Sequence, residues 1–126
     1  MNDRELLRMA QEAAGNAYAP YSGFPVGAAI ECDDGTVFTG CNVENAAYGE
    51  CVCAERAAVC AAVAGGRRAF RRIAIYGTGK NYCMPCGSCR QVLGEFSPEI
   101  EVLSTRAGGS YVSYPLTRLL PYPFKL

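Results

Sequence analysis

The stretch CAERAAVCAAVAGGRRAFRRIAIY, from Cys53 to Tyr76, decides the fold. Its first half, about Cys53 to Ala64, reads as a helix that ends at Gly65-Gly66. Ala57, Cys60, Ala61 and Ala64 form a small apolar face, which predicts close packing against a sheet or another helix. Arg72–Tyr76 then reads as a short strand. Downstream the alternation repeats. Pro85 precedes a helix over about Gly87–Phe96, and Ile100–Ser104 is a strand. Tyr111–Tyr114 is the last strand, with a short helical turn near Leu116–Leu120. About six residues separate the last two strands, too few for a parallel crossover, so they are expected to pair antiparallel. Upstream, Val26–Cys32 and Thr36–Asn42 flank Asp33-Asp34-Gly35, a hairpin signal with Gly where φ > 0 is needed. A first helix starts at Asn2, which can form a capping box with Glu5, and must stop by Tyr18–Ala19 because Pro20 disfavours helix before it. The predicted order is α-β-β-α-β-α-β-β within one domain over residues 1–126. That is an α/β fold, a three-layer α/β/α sandwich on a mixed five-stranded sheet with its last two strands antiparallel.

Composition narrows the chemistry. The 126 residues include eight Cys, no His and no Trp, with zero formal net charge. Half the residues are apolar and 19% are charged, as expected of a globular chain with a core. No apolar run approaches the ~18 residues of a membrane span, and MNDRELLRMAQ is not a secretory signal, so the expected location is the cytoplasm. Twelve Lys+Arg against twelve Asp+Glu leave no basic excess for a nucleic-acid backbone. The absence of His excludes His bases, Ser-His-Asp triads and His metal ligands supplied by this chain. The cysteines therefore read as metal ligands, catalytic thiols or small core residues.

Cys53-Ala54-Glu55 opens one predicted helix and Pro85-Cys86-Gly87-Ser88-Cys89 opens another. Cys86 and Cys89 stand at i and i+3, so both can face one metal, and Cys53 would make a third ligand. Three ligands leave a fourth tetrahedral position for water, as in catalytic zinc. At the first turn Glu55 can lean toward the same point beyond the helix end and take a proton from that water. Zinc with three thiolates carries net −1, which needs an offset. Two helix N-termini supply about +0.5 each, and Arg56, one turn from Cys53, can donate to a ligand sulfur.

CAER followed by PCGSCRQ resembles the zinc-dependent cytidine deaminases, in their small homotetrameric form. The similarity extends through Tyr18–Ala29, Gly40–Tyr48 and Leu119–Phe124, and is loose over residues 65–84 and 98–114. The resemblance implies a cytidine deaminase-like fold, one Zn2+ per chain held by Cys53, Cys86 and Cys89, and Glu55 as the proton shuttle. It implies hydrolysis of cytidine and deoxycytidine to uridine and deoxyuridine with loss of ammonia, in pyrimidine salvage. Asn42 and Glu44 would bond the ribose hydroxyls, Phe24 would pack on the pyrimidine, and the backbone of Ala54 would read the base edge. A homotetramer would complete each site from neighbouring subunits, with Tyr48 and Phe124 serving an adjacent pocket. The expected partner is a small nucleoside, with neither nucleic acid nor membrane. Ser88 stands where Ala is common in the family, and Cys83 adds a thiol without a family role.

Other readings of the cysteines stand beside this one. Cys83, Cys86 and Cys89 follow the start of a ferredoxin-type run, but position 93 is Leu93 and the fourth ligand fails. Cys83 and Cys86 form a CxxC, as in a redox site. A structural zinc could take Cys51 or Cys83 as a fourth thiolate, which leaves Glu55 without a role. Cys32, Cys41 and Cys60 read as small core residues. A base deaminase acting on RNA or DNA is disfavoured by the zero charge and the short last connection. A non-catalytic zinc module would need four protein ligands.

Overall fold

The computed structural model describes residues 1–126. Four helices and five strands follow in the order α1 (Asp3–Ala14), β1 (Gly27–Cys32), β2 (Val37–Cys41), α2 (Ala54–Ala64), β3 (Phe70–Tyr76), α3 (Gly87–Phe96), β4 (Glu101–Thr105), β5 (Tyr111–Pro115) and α4 (Leu116–Leu119), with a 3-10 turn at Tyr48–Glu50. The sheet order is β2-β1-β3-β4-β5. Only β3 and β4, joined through α3, run parallel, and β4 and β5 pair antiparallel as their short connection requires. The expected mixed sheet and three layers are both present. One layer is α1, whose Leu6, Leu7 and Ala10 pack on Ala29, Ala74 and Leu103. The other contains α2 and α3, whose Ala58, Val59 and Leu93 pack with Ile30, Ile73 and Val102.

Several boundaries have local causes. Asn2 caps α1 by accepting from the Glu5 backbone N–H at 2.9 Å, while its side-chain amide, not its backbone, meets the Glu5 carboxylate. The helix stops at Ala14 with Gly15 as its C-cap, within the limit that Pro20 sets, and Tyr18 beyond it pairs beside Val43. At the hairpin Gly35 takes φ +87° and Thr36 N–H bonds the Asp34 carboxylate. Every residue of β1 is buried, Glu31 included, and Arg72 Nε satisfies that carboxylate at 2.8 Å.

The expected packing face of α2 is used only in part: Ala57, against Gly40 of β2, and Ala61 are half-buried. Ala54, Glu55, Ala58, Val59 and Ala62 are buried, whereas Cys60 and Ala64 are exposed. The 54-58-62 row lies on the sheet within the apolar core, and Glu55 turns inward beside it. Cys60 is consequently not a core residue, while Cys32 is buried and Cys41 half-buried.

Gly40 sets how closely α2 can lie. A Cβ there would stand 2.5 Å from Ala58 N and 2.6 Å from the Ala54 carbonyl, both rigid backbone. This contact presses the first turn of α2 onto β2, directly beside Cys53. Gly40→Ala should therefore cost about 1–3 kcal/mol in urea denaturation at fixed protein concentration. It should also weaken zinc retention against a chelator, because the helix start must shift.

Candidate active site

Cys53 and Cys86 are the N-caps of α2 and α3, and Cys89 lies in the first turn of α3. The three sulfurs lie within 4.8 Å of one another, with Cys86 and Cys89 3.5 Å apart. Tetrahedral zinc at a Zn–S distance of about 2.3 Å would set them about 3.8 Å apart, so the donor set fits that ion. Neither Cys51 nor Cys83 joins the cluster. The Cys51 sulfur accepts from Asn45 N–H at 3.3 Å and closes the 45–51 loop, and the Cys83 side chain packs against Gly77.

The environment treats the thiols unequally. Burial pushes Cys53 and Cys89 up, and the charge of Glu55 adds to it. Burial also opposes the Cys86 thiolate, but hydrogen bonds from Cys89, Cys53 and the Ser88 backbone N–H outweigh it and hold Cys86 below its ordinary value. Ser88 thus contributes here through its backbone. Burial raises Cys83 to about 11, a neutral thiol at physiological pH.

Glu55 is 5% exposed. Burial raises its carboxyl above the usual value, against weaker opposing effects from its own backbone N–H, the Cys89 thiol and the Arg56 charge. Arg56 donates from Nη2 to the Cys51 carbonyl at 3.0 Å, not to a ligand sulfur. Its Nε is buried without a partner. An orphaned cationic N–H on this first turn suits a strong acceptor such as a metal-bound thiolate. Ala54 opens the helix, where backbone N–H groups have no intrahelical acceptor.

The expected substrate residues form a second group. Phe24 lies over Gly77 and Gly79 of the loop leading to the thiols, where a Cβ would meet its ring at 3.2–3.3 Å. Asn42 accepts from Val26 N–H at 2.9 Å and donates to the Phe24 carbonyl at 2.9 Å. Glu44 accepts from Tyr21 and Ser22 N–H, each at 3.0 Å, and from Ser22 Oγ at 2.5 Å. The Ser22 bonds, side chain before backbone, hold its carboxyl below the usual range. Ser22 Oγ also accepts from Phe24 N–H at 3.0 Å, and so joins Glu44 to Phe24. Ser22 was not singled out from sequence, since a hydroxyl between two loop residues has no periodic signature. Tyr48 lines a cleft of about 340 Å³ with Tyr21, Ser22, Glu44 and Cys51, yet is itself 79% exposed. Phe124 is 70% exposed beside α3, with its carbonyl accepting from Gln91. Neither aromatic is covered by its own chain.

The family profile described as "Cytidine and deoxycytidylate deaminase zinc-binding region" matches residues 1–104. This chain belongs to the zinc-dependent cytidine deaminases. It is 41% identical over 125 residues to a cytidine deaminase of Sporosarcina psychrophila, covering 98% of this chain and 92% of that one. It is 55% identical over 95 residues to the cytidine deaminase of Mycobacterium tuberculosis, covering 74% and 71%. The crystal structure of cytidine deaminase from Burkholderia pseudomallei superposes with a TM-score of 0.95 at 46% identity, covering 98% of this chain and all of that one. The deaminase is thus an enzyme of a zinc-using family, with a cysteine cluster able to hold the ion.

Cys89→Ala should lower zinc affinity more than about a hundredfold, beyond the 10–100-fold typical of losing an outer partner. It should also lower the melting temperature, because metal binding and folding are linked. Cys83→Ala should keep about one zinc per chain. Metal content by mass spectrometry and a thermal melt check both variants.

Proposed function

We propose that this deaminase hydrolyses cytidine and deoxycytidine to uridine and deoxyuridine with release of ammonia. The observation that carries this reading is the convergence of three thiols and one buried carboxyl at the starts of two helices. Cys53, Cys86 and Cys89 would hold one zinc, which when bound acts as a Lewis acid and lowers the pKa of water toward neutrality.

Glu55 takes one proton of the attacking water and passes it to N3 as the C4–O bond forms, then takes the proton of the new C4 hydroxyl and delivers it to the amine, so that the C4–N bond breaks, ammonia leaves and the C4 carbonyl forms. Its burial suits a group that must both accept and give a proton near neutral pH. Arg56 and the two helix N-termini offset the thiolate charge. Ala54 offers its backbone to the base edge, and Phe24 packs on the ring.

The loop network is compatible with ribose recognition. A carboxylate has about four acceptor sites; the bonds to Tyr21 and Ser22 leave one on Glu44 for a sugar hydroxyl. Asn42 likewise keeps one N–H and one lone pair free after holding Val26 and Phe24.

The working unit in this reading is the single domain of residues 1–126, assembled as a homotetramer. Tyr48 and Phe124 serve an adjacent subunit's pocket, which accounts for aromatics this exposed. Pyrimidine salvage in the cytoplasm is the corresponding role, consistent with eight unpaired thiols.

Glu55→Gln should retain zinc and lose about 10²–10⁴-fold in kcat. Wild-type turnover in a zinc-loaded variant would overturn the role of Glu55. The zinc-loaded wild type should turn over cytidine and deoxycytidine by absorbance and ammonia release, and leave their monophosphates and adenosine largely untouched. Faster turnover of a monophosphate would displace the nucleoside reading.

A further inference from the structure

Arg90 follows the last thiol and uses two separate donors. Nε donates to the Pro85 carbonyl at 2.8 Å, and Nη1 donates to the Leu119 carbonyl at 2.8 Å. Pro85 is fully buried and immediately precedes Cys86. Leu119 is the last residue of α4, where a carbonyl has no helical partner. The next side chain, Gln91, donates from Nε2 to the Phe124 carbonyl at 3.2 Å. Two adjacent residues of α3 therefore hold both ends of the segment Leu119–Phe124.

That segment also carries strain. Tyr122 has φ 56°, the one non-glycine residue with positive φ, and it is 99% exposed between Pro121 and Pro123. A fully solvated side chain cannot stabilise such a backbone through its own packing. The conformation persists because its flanks are fixed.

We propose that Arg90 is a positioning residue that couples the metal loop to the C-terminal segment. A rigid fork spanning two carbonyls transmits the order of the Pro85–Cys89 loop to Leu119, and lysine cannot make both bonds with the same geometry. When the thiols are drawn together by zinc, Pro85 and the guanidinium are fixed, and the segment carrying Phe124 is held. Resting on the functional reading above, this would make metal occupancy of one subunit a determinant of the pocket that its Phe124 completes.

The test compares hydrogen exchange across residues 116–126 in the full-length protein, zinc-loaded and zinc-stripped, with α1 as internal reference. In the wild type, stripping should speed exchange in this segment about tenfold or more and leave α1 nearly unchanged. Arg90→Lys, loaded with zinc, should already exchange at the faster rate, and stripping it should add little. Gln91→Ala should raise KM for cytidine while zinc retention and kcat stay near wild type. Arg90→Lys should raise KM and also release zinc faster to a chelator. Unchanged tail exchange on stripping the wild type would overturn the coupling. So would loaded Arg90→Lys with wild-type tail exchange, a comparison that stands even if stripping unfolds the chain. The exchange measurements need no substrate, so a protein inactive on cytidine would overturn the functional reading while leaving the coupling tested.

Discussion

Everything at this site depends on bringing three sulfurs and a carboxyl together against their mutual repulsion. Two helix starts do this, because each presents unpaired N–H groups and the positive end of its dipole. Cys53 and Cys86 occupy the cap positions, and Cys89 and Glu55 lie within the first turns. The sheet fixes where those starts meet. Gly40 lets α2 touch β2 backbone to backbone. On the other side Cys83 N–H bonds the Thr105 carbonyl at 2.7 Å, anchoring the loop before α3 to the end of β4. The Thr105 hydroxyl in turn accepts from Gly77 N–H at 3.1 Å, so the loops after β3 and β4 are tied at one point.

A second constraint concerns the loop network. Exposed loops between helices and strands are ordinarily mobile, yet residues 21–26 are bound by Glu44, Ser22 and Asn42 through seven hydrogen bonds running in both directions. The seventh is Asn42 N–H to the Val26 carbonyl at 3.2 Å. Glu44, Ser22 and Asn42 thereby also fix Phe24 over Gly77 and Gly79. Glycine at both positions is what lets an aromatic ring lie so close to the loop. In the proposed function base stacking and sugar recognition would then share one preorganised unit, with less ordering entropy lost on binding.

These relations differ in how far they could be read from residue order. The helix starts, the hairpin turn and the antiparallel final pair were legible, since each rests on local rules of capping, φ sign or loop length. The helix α3 has the bounds expected from Pro85 and its apolar spacing. The rotation of α2 was not legible, because a helix with so many small residues has a weak apolar stripe. Glu55 also turns inward, a tertiary event that no apolar stripe announces. The sequence sets only an upper limit on α1 at Tyr18–Ala19, and the helix ends within it at Ala14, with Tyr18 pairing beside Val43 beyond it. The thiol cluster was legible because cysteine types and i, i+3 spacing carry chemistry directly. Ser22 and the two bonds of Arg90 were not, because hydrogen bonds between residues distant in sequence leave no spacing signal.

The lack of histidine bears on the carboxyl as well as on the metal. An all-thiolate set is more anionic than one containing a neutral imidazole, so it disfavours a second negative charge nearby. Burial raises the Glu55 carboxyl, while the Cys89 thiol, as a hydrogen-bond donor, works against that shift. The Arg56 charge opposes the burial shift only weakly, and its Nη2 donates to the Cys51 carbonyl. Bound zinc would reverse part of this field, because its two positive charges outweigh any single thiolate. In the proposed function the protonation of Glu55 would follow metal occupancy. In the proposed reaction, a carboxyl whose affinity for a proton is raised by burial and would be lowered by a bound metal suits a shuttle, which must take a proton and return it at one place.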